Sequence, residues 1–303
     1  MVMDTLRLVL KLSRPLFLLG GVLAYALGAG IARYLGTVLN WETYLLGQAW
    51  VTLLQLAGQY LNEYYDYPGD IDNPNRTPFT GGSGALGEDK LPRRTALFLA
   101  LGCLAVVASL TVMILRVVGP SSATLLVMGL GFLGAFFYSV PPVRLAASGY
   151  GELSTSILLA NLVPALAFLL QVGEMHRLLA MSTFPLTLLH LAMMLAFELP
   201  DYAWDIKHNK RTLMVRVGWQ RGMALHNIFI LAAYLMLGVA VAFRLPFYIA
   251  LPAFFTLPLG LLQIWQIRRI ADGGKPNWIA VTLVPVVLFA STTYLLSLAY
   301  WTR

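Results

Sequence analysis

Nine runs of about 20 predominantly apolar residues, separated by charge, glycine and proline, leave this chain very few architectures. They lie near 15–35, 43–62, 95–117, 121–138, 153–173, 179–199, 222–243, 245–266 and 279–301. Each can cross the hydrocarbon core of a bilayer as a helix, and together they leave little of the 303 residues for a soluble domain. A 58% hydrophobic share against 12% charged residues excludes an ordinary water-soluble globule. The expected fold is therefore all-α: one polytopic membrane domain over residues 1–303, a bundle of nine transmembrane helices with Asp-rich loops on one face.

An odd number of crossings puts the two ends of the chain on opposite sides, so the charged loops can be sorted. Arg7, Lys11, Arg14, Arg76, Lys90, Arg93, Arg94, Arg144, Lys207, Lys210, Arg211, Arg216, Arg221, Arg268, Arg269 and Lys275 fall on the side of the N-terminus. Only Arg33, Arg116, Arg177, Arg244 and Arg303 fall on the other. Cytoplasmic loops carry the lysine and arginine excess, so the chain is expected in the cytoplasmic (inner) membrane with its N-terminus in the cytoplasm. The formal charge of +7 thus reflects orientation and calls for no nucleic-acid partner. Arg7, Lys11 and Arg14 share one helical stripe opposite Leu8, Val9 and Leu12. That pattern suits either a short helix in the headgroup layer or a plain basic flank to the first span. The first run is long and no small-residue cleavage site follows it, which argues against a cleaved signal peptide. Cys103 is the single cysteine, so no intramolecular disulfide can form.

The carboxylates also segregate, with only Glu42 and Glu174 on the outer side. They are concentrated in a repeat. Asp66-Tyr67-Pro68-Gly69-Asp70-Ile71 through Arg76-Thr77, and Asp201-Tyr202-Ala203-Trp204-Asp205-Ile206 through Arg211-Thr212, both read D-Y-x-x-D-I-x-x-x-x-R-T. Four spans separate the copies, so both end a helix on the same membrane face. Asp residues at i and i+4 project from nearly one side of a helix. Two such pairs facing each other would repel without a cation. An all-oxygen donor set without cysteine favours Mg²⁺, which commonly bridges one or two carboxylates to substrate phosphate. Arg76, Lys207, Lys210 and Arg211 stand beside the pairs and would neutralise the remaining phosphate charge. A diphosphate on a lipid tail, at the mouth of an apolar bundle, fits this constellation best.

Polar stripes lead inward from both copies. Gln55, Gln59, Asn62 and Asp66 recur at helical spacing on the second span, and His190, Met194, Glu198, Asp201 and Asp205 on the sixth. Such stripes face a bundle interior. For the glutamines, interhelical hydrogen bonding is the alternative to substrate contact. For His190 it is a satisfied interior histidine.

The run Asn62-Glu63-Tyr64-Tyr65-Asp66-Tyr67-Pro68-Gly69-Asp70 resembles the N-D-x-x-D-x-x-x-D signature of the UbiA-type intramembrane prenyltransferase superfamily, and Asp201 to Asp205 resembles its second D-x-x-x-D. The likeness covers essentially the whole chain, and nine spans is that family's architecture. It implies transfer of a polyprenyl group from its diphosphate to an acceptor, with Asn62 in the site and Mg²⁺ held through Asp66, Asp70, Asp201 and Asp205. Glu63 stands where the family carries Asp, and Pro68-Gly69 is expected to break the helix and leave Asp70 in a loop. Tyr138-Ser139, Pro141-Pro142 and Arg144 resemble the tyrosine and basic residue that follow the family's fourth span, although Pro-Pro also serves as a simple helix stop. Asp72, and Lys210-Arg211-Thr212-Leu213 with Val215-Arg216-Val217-Gly218, are similar to the branch acting on 1,4-dihydroxy-2-naphthoate in menaquinone biosynthesis. Thr80-Gly81-Gly82-Ser83-Gly84 is less familiar there, and its backbone would either approach phosphate or simply flex.

The resemblance implies ionisation of an allylic polyprenyl diphosphate, stabilised at the leaving group, and capture of the carbocation by an electron-rich aromatic acceptor away from water. The isoprenoid tail would lie in a groove open to membrane lipid. Acceptors other than the naphthoate remain in play: 4-hydroxybenzoate, a chlorophyllide or a glyceryl phosphate lipid. A cation transporter is the rival of another class, but it would place charge near the membrane midplane, where no span carries any. A CDP-alcohol phosphotransferase would need D-G-x-x-A-R followed by G-x-x-x-D, which is absent.

Overall fold

The computed structural model describes residues 2–303. Thirteen α-helices run in chain order as α1 Val2–Ser13, α2 Pro15–Tyr34, α3 Trp41–Asp70, α4 Arg93–Val117, α5 Ser122–Ser139, α6 Gly151–Ile157, α7 Val163–Val172, α8 Arg177–Lys207, α9 Leu213–Val217, α10 Trp219–Ala242, α11 Phe247–Phe254, α12 Leu257–Ala271 and α13 Trp278–Trp301. A π turn, Leu158–Leu162, joins α6 to α7 into one rod just ahead of Pro164, and α11 with α12 forms another. Nine membrane-length rods result, in register with the nine apolar runs. Eight of them are long and apolar enough to cross a membrane. The exception is α3, whose mean hydropathy is lowered by Gln48, Gln55, Gln59, Asn62 and the acids of its last turns.

Rod starts are set by local chemistry. Asn40, Ser121 and Asn277 each cap a helix, their side-chain oxygens accepting from Thr43, Thr124 and Ala280 amides at 3.0, 3.3 and 3.2 Å. Helix α2 runs through the middle of the bundle against α7 and α13. At Gly28 a Cβ would collide with the carbonyl of Pro164, so only glycine permits this approach. Leu27, Ile31, Phe168, Leu186, Leu288 and Tyr300 form the buried core around that contact. Phe98, Leu235, Phe243 and Phe255 point outward, as a lipid-facing surface requires.

Helix α1 packs part of its apolar face on the bundle. Its apolar stripe is met by protein: Leu12 is fully buried, and Leu8 and Val9 pack beside Tyr60, Leu61 and Leu91. Arg7 and Lys11 stay exposed, while Arg14 turns inward. The side chain of Ser13 meets that of Tyr60 at 2.6 Å.

Crossing by all nine rods would place the chain ends on opposite faces. A reporter in the loop 272–277 is expected in the cytoplasm and one fused after Arg303 outside, as scored by accessibility to a membrane-impermeant label. Finding both on one face would overturn the nine-crossing arrangement.

Candidate active site

The acid-bearing turns close α3 and α8, side by side. Proline in α3 was expected to expel Asp70 into a loop, yet the helix continues through Pro68 and ends on Asp70 itself. Pro68 has no N–H for the Tyr64 carbonyl, and Arg93 of α4 supplies the missing donor, its Nε lying 2.7 Å from that oxygen. Three further bonds tie the two copies of the repeat together. Asn73 Nδ2 donates to Asp201 Oδ1 at 2.7 Å, Asn75 Nδ2 donates to the Pro200 carbonyl at 3.0 Å, and Trp204 Nε1 donates to the Gly69 carbonyl.

Between these helix ends opens a cavity of about 620 Å³. Asp66, Asp70, Asp201 and Asp205 line one part of it, and an apolar groove of Leu16, Phe17, Trp50, Leu54, Leu159 and Val287 continues away. Asp66 is the electrostatic hub. It is buried, its Oδ1 accepts from Arg144 Nη2 at 2.8 Å, and its Oδ2 accepts from Lys210 Nζ at 3.0 Å and Asn62 Nδ2 at 3.1 Å. Burial works against the charge on Lys210, but Asp66, Asp205 and Asp70 around it outweigh burial and hold the ammonium well above the ordinary lysine range.

Of the residues singled out in the sequence, Gln59, Asn62, Asp66, Asp70, Tyr138, His190, Glu198, Asp201, Asp205 and Lys210 all line this cavity. His190 is held by the Ser156 hydroxyl, 2.8 Å from its Nδ1, and by the ring of Phe289. Gln55 Nε2 donates to the Phe17 carbonyl at 2.8 Å, an interhelical bond, while Gln59 Oε1 is buried without a partner. Arg144 touches Asp66 without lining the cavity. Arg76, Asp72, Lys207 and Arg211 lie off it. The Arg76 guanidinium is spent on the Gly81 carbonyl at 2.7 Å and on that of Asp70, so it braces the loop. Lys207 lies over the Trp204 ring, and Asp72 and Arg211 are exposed.

Several lining residues have roles that the sequence left unassigned. Glu63, read there as a lengthened Asp, pairs with Arg14 at 2.6 Å and accepts from the Ser83 amide and hydroxyl, both at 2.7 Å. It thereby fastens the glycine loop to α3. Gly82, at φ 75, sits so close to Asp70 that a Cβ would come 2.7 Å from that side chain, so the loop backbone forms part of the acid wall. Phe79 and Phe197 stack at 5.9 Å, with Phe17 edge-on to both, and all three line the cavity. Glu152, opening α6, lines the cavity as well. Its only sequence signal was an isolated acid at the start of an apolar run.

The UbiA prenyltransferase family matches residues 22–289. The 1,4-dihydroxy-2-naphthoate octaprenyltransferase of Bacillus subtilis (strain 168) is 25% identical over 228 residues, which is 74% of this chain and 70% of that protein. Among solved structures, a UbiA homologue from Archaeoglobus fulgidus bound to GPP and Mg²⁺ superposes with a TM-score of 0.67 at 16% identity, covering 95% of this chain and 99% of the other. A UbiA homologue from Aeropyrum pernix K1 gives 0.62 at 15% identity, over 93% and 96%. A digeranylgeranylglyceryl phosphate synthase gives 0.61 at 14% identity, over 99% and 98%.

Proposed function

Because the chain belongs to the UbiA prenyltransferase family and is a multi-pass membrane prenyltransferase, we propose that it transfers a polyprenyl group from an allylic polyprenyl diphosphate to 1,4-dihydroxy-2-naphthoate, the prenylation step of menaquinone biosynthesis. The observation that carries the reading is one cavity with a four-carboxylate end and an apolar groove, since a polyprenyl diphosphate has the same two halves. The acceptor rests on the naphthoate-type K-R-T-L-x-V-R-x-G stretch and on the Bacillus relative.

The donor set suits Mg²⁺. It is all oxygen, and it already gathers a cation, the Lys210 ammonium, among its carboxylates. Among the described residues no three His, Cys, Asp or Glu side chains are placed to hold a metal ion by themselves. Asp66, Asp70, Asp201 and Asp205 would hold the ion together with the bound diphosphate. When bound, Mg²⁺ supplies charge stabilisation to the departing pyrophosphate.

The chain's own groups do the rest. Lys210 donates to diphosphate oxygens, and the Gly81-Gly82 backbone bounds the acid end. The allylic C–O bond breaks with its electron pair leaving on the diphosphate. The positive allyl fragment then lies near Phe79 and Phe197, whose ring faces favour a cation. A ring carbon of the acceptor supplies the pair for the new C–C bond, and the substituent on that carbon leaves without its bonding pair, as a proton or, from a carboxylate, as CO₂, which restores the aromatic ring. Leu54, Leu159 and Val287 line the groove and keep water from the carbocation.

The test gives purified protein one polyprenyl diphosphate with each acceptor separately and follows product mass. Naphthoate prenylation is expected. Prenylation of a glyceryl phosphate lipid with none of the naphthoate would move the protein to ether-lipid synthesis and leave the diphosphate site standing.

A further inference from the structure

The reaction outlined above gives His190 no task. The residue is 2% exposed, yet it lines the cavity from α8. Eleven residues of that helix separate it from Asp201, which at the helical rise is about 16 Å along the axis. Leu159 and Phe289, which meet across Gly20, and Met194, one turn along α8, line the cavity beside it. The imidazole is thus a polar group in the apolar reach, well inward of the acid end.

The hydrogen bonds around the ring fix which nitrogen carries its hydrogen. Ser156 Oγ donates to the Glu152 carbonyl at 2.7 Å and lies 2.8 Å from His190 Nδ1. A serine hydroxyl has a single hydrogen, so with that hydrogen on the carbonyl, Nδ1 is the donor of the second contact. No ion pair reaches the ring among the described residues, and an unpaired buried charge is costly, so the imidazole is neutral and Nε2 is a bare acceptor. Nε2 meets no hydrogen-bond partner among the described residues, and unlike Gln59 Oε1 it is not sealed inside the wall. An open lone pair on the wall of an apolar cavity calls for a donor, and the occupant of the cavity is what can bring one.

We propose that His190 Nε2 receives a ring hydroxyl of a phenolic acceptor and so fixes which way the acceptor lies. The inference rests on the prenyl-transfer reading and narrows it. A neutral acceptor atom suits a hydroxyl and rejects a carboxylate, which brings no hydrogen and would carry its charge into the apolar reach. The acceptor's carboxylate therefore stays toward Lys210, and the hydroxyl farther from it points inward to His190. The length of helix between Asp201 and His190 leaves space for the allylic carbon and one flat ring system between diphosphate and imidazole. A glyceryl phosphate lipid carries its hydroxyl close to its own phosphate, which would keep that hydroxyl at the acid end. The bound hydroxyl keeps its hydrogen, and no covalent bond is made or broken at His190.

The experiment uses the full-length enzyme, a polyprenyl diphosphate, and 1,4-dihydroxy-2-naphthoate beside its mono-O-methyl ethers, each KM being measured with the other substrate saturating. His190→Asn can keep a donor for Ser156 while removing the atom at Nε2, and His190→Gln puts an amide oxygen back near it. The Asn variant is expected to raise the acceptor KM by about tenfold while moving the polyprenyl diphosphate KM by less than about twofold, and the Gln variant to recover part of the loss. Wild-type enzyme should disfavour the 4-O-methyl ether, whose oxygen brings no hydrogen, more than the 1-O-methyl ether, and the preference should vanish in His190→Asn. An unchanged acceptor KM, or an equal rise in both KM values, overturns the contact and leaves prenyl transfer intact. Should neither variant purify in folded form, equal use of the 4-O-methyl ether and its parent by wild-type enzyme overturns the contact alone. Turnover of a glyceryl phosphate lipid, with no hydroxylated arene used, overturns the contact and the proposed reaction together.

Discussion

Asp201→Asn is expected to lower kcat/KM by roughly 100- to 1,000-fold, the scale on which an enzyme loses a group aimed at developing charge. The variant should still fold. An asparagine oxygen can go on accepting from Asn73 Nδ2, so the bond between the two copies of the repeat survives, while the negative charge and one oxygen able to accept from Thr80 and the Gly81 amide are lost. Chelation of divalent cations should reproduce the defect in wild-type enzyme. Full activity of purified protein in excess chelator would defeat the Mg-diphosphate arrangement. Asp66→Asn should be as damaging to turnover and harder on the fold, because Asp66 also receives Arg144 and Lys210. Each charge-assisted bond of that kind is worth about 1.5 to 3 kcal/mol. Thermal unfolding in detergent, measured for both variants, should therefore show the larger drop for Asp66→Asn.

The second large effect separates two adjacent basic residues that the sequence treats alike. Lys210→Met is expected to raise the polyprenyl diphosphate KM, or lower kcat, by about 10- to 100-fold, and Arg211→Ala to change either by less than about threefold. Lys210 lines the cavity and bonds Asp66, while the neighbouring Arg211 is exposed and off it. The Lys210 pKa lies above the ordinary lysine value, so its charge is present at and below neutral pH and persists as pH rises through the mildly alkaline range. Activity should not fall there through this group. Steady-state kinetics of the two variants settle the ranking, and a larger loss in Arg211→Ala would place the diphosphate elsewhere.

Local composition determined a great deal. Nine apolar runs set nine rods because an α-helix satisfies its own backbone in lipid, so length and hydropathy decide the element without knowledge of its neighbours. The Asp repeat at 66–77 and 201–212, with its polar stripes, was legible because helical spacing puts i and i+4 on one face. The match to the UbiA family agrees with the family resemblance read from those motifs.

What periodicity could not reach were the partnerships between elements. Pro68 ends no helix because Arg93, one loop and 25 residues away in sequence, donates to the carbonyl that proline leaves empty. Glu63 is a loop anchor because Arg14 and Ser83 meet it, and Arg76 braces a backbone carbonyl where its position beside Asp70 suggested phosphate. Glu152 enters the cavity only because α6 packs beside α8. A charge near an acid in sequence has many places to point, and the direction is chosen by which buried donor or acceptor across the bundle lacks a partner.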